Sequence, residues 1–492
     1  MAMAMALALA MALVGCDDYD TFTTDTSYRL MLSVDTIRFD TLITTIPSST
    51  KTLTLRNPHD EGLRISQVRL DKGAQSLFRV NVDGWDLSKT SDGSATDFEV
   101  RRRDSIVVRV EVTMQEVGSD AYATYDDALS FTLESGVVQR VPIIVTGRDA
   151  YLLHGPVVGR DTTFANNRPI VIYDSLYVGR GATLTLSAGT TLMFHEGAGL
   201  IVDGRVVARG TLDAPVVMRG DRTDHMFSYL PYDKLPGRWE GIVIRGESHD
   251  NEMEYLNLHG ANYGIRCDSS LTGQTKLTLY NSRITQINGD GLALTASHVV
   301  VVNSEVSNTY GHCVNILGGT NEFVHCTLAQ YYPLGSVGYA LQMTNYVDSI
   351  DYILRYPLQA AYFYNCLFTG YADDEMMGQW YEAEDEEDAI PVSYRFWNCF
   401  LTTGDSESDP EDPDPTFRGN RYENEEDSIC HQQHFVLFDT HTYDYDFTPV
   451  EHSAIRNCAD PQWAKSFPLD RLGRSRLADE APDPGCYEAP QP

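Results

Sequence analysis

The chain has 492 residues, of which 42% are hydrophobic and 10% aromatic, with 28 tyrosines. That length exceeds a single ordinary core, so several domains or an elongated repeat is expected, and the tyrosine content favours strands. A formal net charge of −33 repels a phosphate backbone, so no nucleic-acid partner is expected.

The first element, "MAMAMALALAMALVGC", is an apolar run of 15 residues closed by Cys16. It is too short to span a bilayer and fits the apolar region of a secretory signal, although no Lys or Arg precedes it. "LVGC" resembles the bacterial lipobox. That resemblance implies a signal peptide over 1–15, lipid attachment at Cys16, and the outer membrane as partner through acyl chains, several of which anchor stably where one does not. The acidic "DDYD" that opens a tether over 16–28 resembles the export signal of Bacteroidota surface lipoproteins, which implies display on the cell surface.

Residues 29–148 alternate as short strands, among them "KTLTLRN", "LRISQVRL", "SIVVRVEVT" and "RVPIIVTG". Seven such runs separated by turn residues predict an antiparallel β-sandwich. The stretch contains no cysteine, so a disulfide-braced domain is excluded.

From residue 149 the punctuation changes. "LYVGRGATLTLSAGTTLMFHEGAGLIVDGRVVARG" sets strands of two to four residues between single glycines, as a chain turning a corner every few residues would. A repeat then becomes countable. Asn281, Asn303 and His325 follow at intervals of 22, and Asn365 and Asn398 continue the slot after longer gaps. A period of 22 made of three short strands predicts one turn of a parallel β-helix. A leucine-rich repeat would need leucines at fixed positions, and a propeller a longer unit. Stacked about 4.8 Å apart, the asparagines are expected to form a corner ladder, with His325 able to donate to it. Beside them runs a column of small residues, Ser282, Ser304, Cys326, Cys366 and Cys399.

"GTLDAPVVMRGDR", "PGRWEGIVI" and the closing "DRLGRSRLADEAPDPGCYE" resemble the surface lipoproteins of Bacteroidota that place an immunoglobulin-like domain before a right-handed, pectate-lyase-like parallel β-helix. The resemblance implies an all-β chain. Its parts are an immunoglobulin-like β-sandwich over 29–148 acting as a spacer, a right-handed parallel β-helix over 149–445, and a carboxyl-terminal cap segment over 446–492. Acidic insertions are expected at about 371–391 and 402–428, since 371–427 holds 19 acidic and 3 basic residues.

Chemistry is harder to find. Asp290 and His312, 22 residues apart, would stack on adjacent turns as a carboxylate–imidazole pair and are weak catalytic candidates beside ordinary turn chemistry. The paired carboxylates of polygalacturonase-type hydrolases and the calcium cluster of pectate lyases have no counterpart motif. Cys430, His431, His434 and His441 are weak metal candidates. No cofactor is expected, calcium at the acidic runs being the one alternative. Of the remaining cysteines, Cys458 and Cys486 are the pair to test for a disulfide. Aromatic and acidic loops such as "DHMFSYLPYDKLPGRW" suggest contact with a polysaccharide or host glycan. The expectation is therefore a non-catalytic adhesion or glycan-contact protein, with a polysaccharide lyase or glycoside hydrolase as the first alternative and a structural envelope protein as the second.

Overall fold

The computed structural model describes residues 21–490 except 166, 272, 336, 351, 407–411, 413–414, 425–427 and 479. Cys16 and the signal segment lie outside the described residues. The chain divides into two compact units, residues 1–149 and 150–492.

The first unit holds two five-stranded sheets. One is antiparallel throughout and centres on Lys51–Arg56 paired with Ser105–Val112. The other contains Leu63–Leu70 and Ala123–Leu133, with a single parallel pairing of Ile37–Ile43 to Val138–Arg148. Alternation drives the arrangement, because period-two apolar residues bury one face of each strand. Leu53, Leu55, Val108 and Val110 from one sheet share a core with Ile65, Val68, Phe131 and Ile143 from the other.

The second unit is a coil of parallel strands, a β-helix. An 11-stranded sheet runs along one side, and a 17-stranded set covers the others, with each strand hydrogen-bonded to the equivalent strand one turn later. Leu292–Val302 and Val314–Val324 pair over almost their whole length in a strict 22-residue register. Inward residues fill the interior in columns. Phe363 stacks on Phe323 and on Phe396 at 4.9 Å each, and Phe417 extends the pile at 5.4 Å from Phe396.

Two corners explain why the coil turns where it does. At one, glycine is obligatory: a Cβ on Gly264 would lie 2.1 Å from the Gly291 carbonyl oxygen of the next turn. At the other, Asn281, Asn303, His325, Asn365 and Asn398 all adopt the left-handed backbone, with φ between 51° and 56°, a conformation asparagine tolerates better than other side chains. Asn303 Nδ2 donates to Asn281 Oδ1 at 2.5 Å. His325 Nε2 accepts from Asn365 Nδ2 at 3.2 Å instead of donating to it, and burial, with the charge of Arg476 next, pushes its imidazole well below the usual range.

The neighbouring column is a second ladder. Ser304 Oγ accepts from Ser282 N at 3.0 Å, while Cys366 Sγ and Cys399 Sγ accept from Cys326 N and Cys366 N at 3.4 Å. Each hydroxyl or thiol then donates to the carbonyl two residues back, as Ser282 does to Tyr280 at 2.8 Å and Cys366 to Tyr364 at 3.4 Å. The slot demands a small side chain that both gives and takes a hydrogen bond, which serine and cysteine supply.

The carboxyl-terminal residues lie on the coil. The hairpin of Phe435–Asp439 and Asp444–Pro449 packs with Tyr331, Leu367 and Phe400 on the outer face of the 11-stranded sheet. Helix Pro461–Ser466 sets Trp463 on Tyr364 at 4.2 Å. Farther along, Tyr487 donates its hydroxyl hydrogen to Glu305, which also meets Arg283 at 2.9 Å. Burial would raise the Glu305 carboxyl, but the charges of Arg283 and Arg471 with two hydroxyl donors outweigh it and hold the group below its ordinary range. Cys458 and Cys486 are both free thiols, as are the other described cysteines, so the expected pairing is corrected: each sulfur has its own hydrogen-bond partner, the Ile455 carbonyl and the Thr327 hydroxyl respectively.

Candidate functional site

Asp290 and His312 do meet, but through the backbone. Asp290 Oδ1 accepts from His312 N at 2.8 Å and Oδ2 from Asn315 Nδ2 at 2.9 Å. The imidazole turns the other way and accepts from Tyr339 N at 3.0 Å. Burial lowers the His312 pKa against the opposing pull of Asp290. Both side chains therefore bind corners of successive turns.

The metal candidates do not converge. His434 is fully buried, with Nε2 3.0 Å from Glu423 Oε1 and Nδ1 2.9 Å from Ser453 Oγ. His431 reaches the Gly370 carbonyl, and His441 stacks on Tyr229 at 3.9 Å. Cys430, half-buried, is the residue that precedes the short helical turn His431–His434. Among the described residues no group of three or more His, Cys, Asp and Glu side chains is placed to hold a metal ion.

A different cluster forms where the insertion "DRTDHMFSYLPYDKLPGRW" leaves the coil after Val216–Gly220. Outward-facing Arg219 on that strand and His259 on the next turn both reach Asp233 Oδ1, at 2.8 and 2.9 Å. Burial would raise the Asp233 carboxyl, yet the His259 hydrogen bond and the charges of His259, Arg219 and Lys234 hold it below the ordinary carboxylate range. Burial also lowers the Arg219 pKa, against Asp233 and Asp221. One turn earlier on the same face, His195 Nδ1 lies 2.7 Å from Asp221 Oδ2.

The opposite wall comes from the carboxyl-terminal hairpin. Lys234 Nζ contacts Asp444 Oδ1 at 2.5 Å and the Thr442 carbonyl at 3.0 Å, while Thr442 Oγ1 donates to Asp444 Oδ2 at 3.0 Å. Between the walls is a cavity of about 160 Å³, lined by Asp233, Lys234, His259, Arg283, Tyr443 and Asp444 among others. Two half-buried carboxylates from distant parts of the chain thus share one small polar chamber over the sheet face. Sequence spacing carried no sign of it: the Lys234–Asp444 contact spans 210 residues, and both acids sit outside the 22-residue register.

No family model matches the chain, and no curated protein matches it. Among solved structures it is similar to the catalytic unit of a thermostable GH87 α-1,3-glucanase from Streptomyces thermodiastaticus strain HF3-3. That match is at 10% identity and a TM-score of 0.22, covering 76% of this chain and 89% of that one. Two catalytic domains of GH87 α-1,3-glucanase in complex with nigerose match at 8% identity, with TM-scores of 0.18 and 0.17; each match covers 81% of this chain and 93% of the other. These neighbours are hydrolase catalytic units, unlike the non-catalytic adhesion or glycan-contact protein expected from the sequence. The likeness transfers no residue and no substrate.

Proposed function

We propose that the protein is a glycoside hydrolase whose acid–base pair is Asp233 and Asp444. The observation that carries this reading is that two carboxylates from distant parts of the chain line one cavity, each fixed by a cation. Glycosidic cleavage needs one carboxyl to protonate the departing oxygen and a second, ionised one to attack the anomeric carbon or activate water there. Asp233, kept ionised by His259 and Arg219, suits the second role. Asp444 takes the acid role once substrate displaces Lys234 from it: it picks up a proton from solvent, gives it to the departing oxygen and recovers it from water as the sugar is released. Tyr443 and the loop side chains offer the sugar an apolar wall.

The same reading places the enzyme outside the cell. "LVGC" supports acylation of Cys16 and an outer-membrane anchor; in this reading the two amino-terminal sheets are an immunoglobulin-like spacer and the coil is right-handed. An extracellular polysaccharide is the partner.

The test is reducing-end release from a panel of neutral polysaccharides by the full chain. Asp233→Asn and Asp444→Asn are each expected to lose at least about a hundredfold in rate, the scale of a lost general acid or base. Release that is unchanged in both variants sinks the assignment. Labelled palmitate incorporated by the parent and absent from Cys16→Ser tests the anchor.

A further inference from the structure

We infer that Phe227, backed by Tyr229, is a binding platform for the chain of a neutral polysaccharide whose cleaved unit occupies the Asp233–Asp444 cavity; the inference rests on the hydrolase reading above. His225–Phe227 pairs with Leu230–Pro231 in a short hairpin. Met226, Phe227 and Tyr229 on it are 49%, 49% and 43% exposed, a concentration of half-solvated apolar surface on a chain of net charge −33. Exposed large apolar groups gathered in one patch mark a contact surface.

The geometry suits flat ligands. Phe227 and Tyr229 are near-parallel, 13° apart at 5.6 Å, and His441 continues the pile at 3.9 Å and 18° from Tyr229. Tyr229 stacks beside the Phe227 ring, which stays about half exposed. Pyranose rings present apolar C–H faces that stack on such a surface. The platform and the cavity are built from the same two loops, since His441 lies three residues from Asp444 and Tyr229 five from Lys234, and Lys234 joins Asp444. A chain stacked on Phe227 is therefore led towards the two carboxylates.

Charge selects the polymer. A polyuronide approaching this strongly anionic molecule meets long-range repulsion, whereas an uncharged glucan, mannan or galactan does not.

The experiment uses the full chain carrying Asp233→Asn, mixed with suspensions of insoluble glucan, mannan and galactan, with polygalacturonate gel, and with phosphatidylcholine vesicles. Saturable depletion by at least one neutral polymer is expected, without depletion by polygalacturonate. Adding Phe227→Ala weakens it about tenfold, the scale of one lost ring contact, and Phe227→Trp restores it. Equal depletion with Phe227→Ala overturns the inference, as does no depletion by any neutral polymer, or Phe227-dependent binding to vesicles in place of polymer. If the platform behaves as expected but the parent chain releases no reducing ends from the bound polymer, the hydrolase reading fails and the platform stands.

Discussion

Arg476 and Asn303, 173 residues apart in the chain, are joined by a 2.5 Å hydrogen bond from Arg476 Nη2 to Asn303 Oδ1 in the interior. The same guanidinium holds Glu488 Oε1 at 2.6 Å, and neither partner of that ion pair is exposed by more than 3%. The carboxyl-terminal segment is thereby locked onto a rung of the corner ladder. Burial pushes the Glu488 carboxyl up to about 8, so removing Arg476 strands buried hydrogen-bond acceptors more than a full charge, at about 1–3 kcal/mol each. Arg476→Met is expected to lower stability on that scale in urea unfolding, and Arg476→Met with Glu488→Leu to recover much of it.

Asn365 tests the ladder itself. Its φ is 53°, and its amide both donates to the Asp460 carbonyl and accepts from Asp460 N at 2.9 Å. Asn365→Ala adds about 1–2 kcal/mol of left-handed strain to the lost hydrogen bonds. Asn365→Gly loses only the bonds. Denaturant midpoints should therefore fall in the order parent, glycine variant, alanine variant.

The cysteine column predicts silence under oxidation. Cys326, Cys366 and Cys399 stack in register as free thiols, each donating to the carbonyl two residues back. Burial also pushes the thiols of Cys326 and Cys366 well above their ordinary range. The six buried thiols are expected to ignore a thiol reagent in the folded protein and to react once guanidinium unfolds it.

Glu375 gives the fold a pH slope. It is 1% exposed, accepts from Ala340 N and Ala372 N, and burial pushes its carboxyl up to about 7. The folded protein then holds a proton that the unfolded chain, titrating near 4.5, releases. Stability is greatest below about pH 4.5 for this group and falls as pH rises towards 7, by about 3 kcal/mol in all. Glu375→Gln should flatten that slope in unfolding curves measured from pH 4.5 to 8, whatever it does to absolute stability.

The coil was legible because its constraint is local and periodic. A left-handed corner selects asparagine, a tight corner selects glycine, and both recur at the turn length, so the spacing of Asn281 and Asn303 already implied stacked parallel strands. The cavity was illegible for the opposite reason. Asp233 belongs to an excursion from the coil, Asp444 to a hairpin that folds back on it, and the Arg219–Asp233–His259 contacts depend on which strand faces follow one another in space. "NGDGLAL" and "YGHCVNI" attracted attention because they kept the register, and register is what corners need. The histidines of "CHQQHFVLFDTHTY" are close in sequence yet face three different surroundings, which no spacing rule distinguishes.

The recurring left-handed corner has a consequence for how such a molecule can change. Every turn passes that corner with the same backbone geometry and no added residue, since the strands on either side of it keep one offset from turn to turn. The interval of 22 residues widens to 40 before Asn365 and 33 before Asn398, and Phe323, Phe363 and Phe396 remain piled face to face across both. That corner works as a fixed seam: new loops, and the surfaces they carry, are spliced in at the other corners, one turn at a time, without renegotiating the interior.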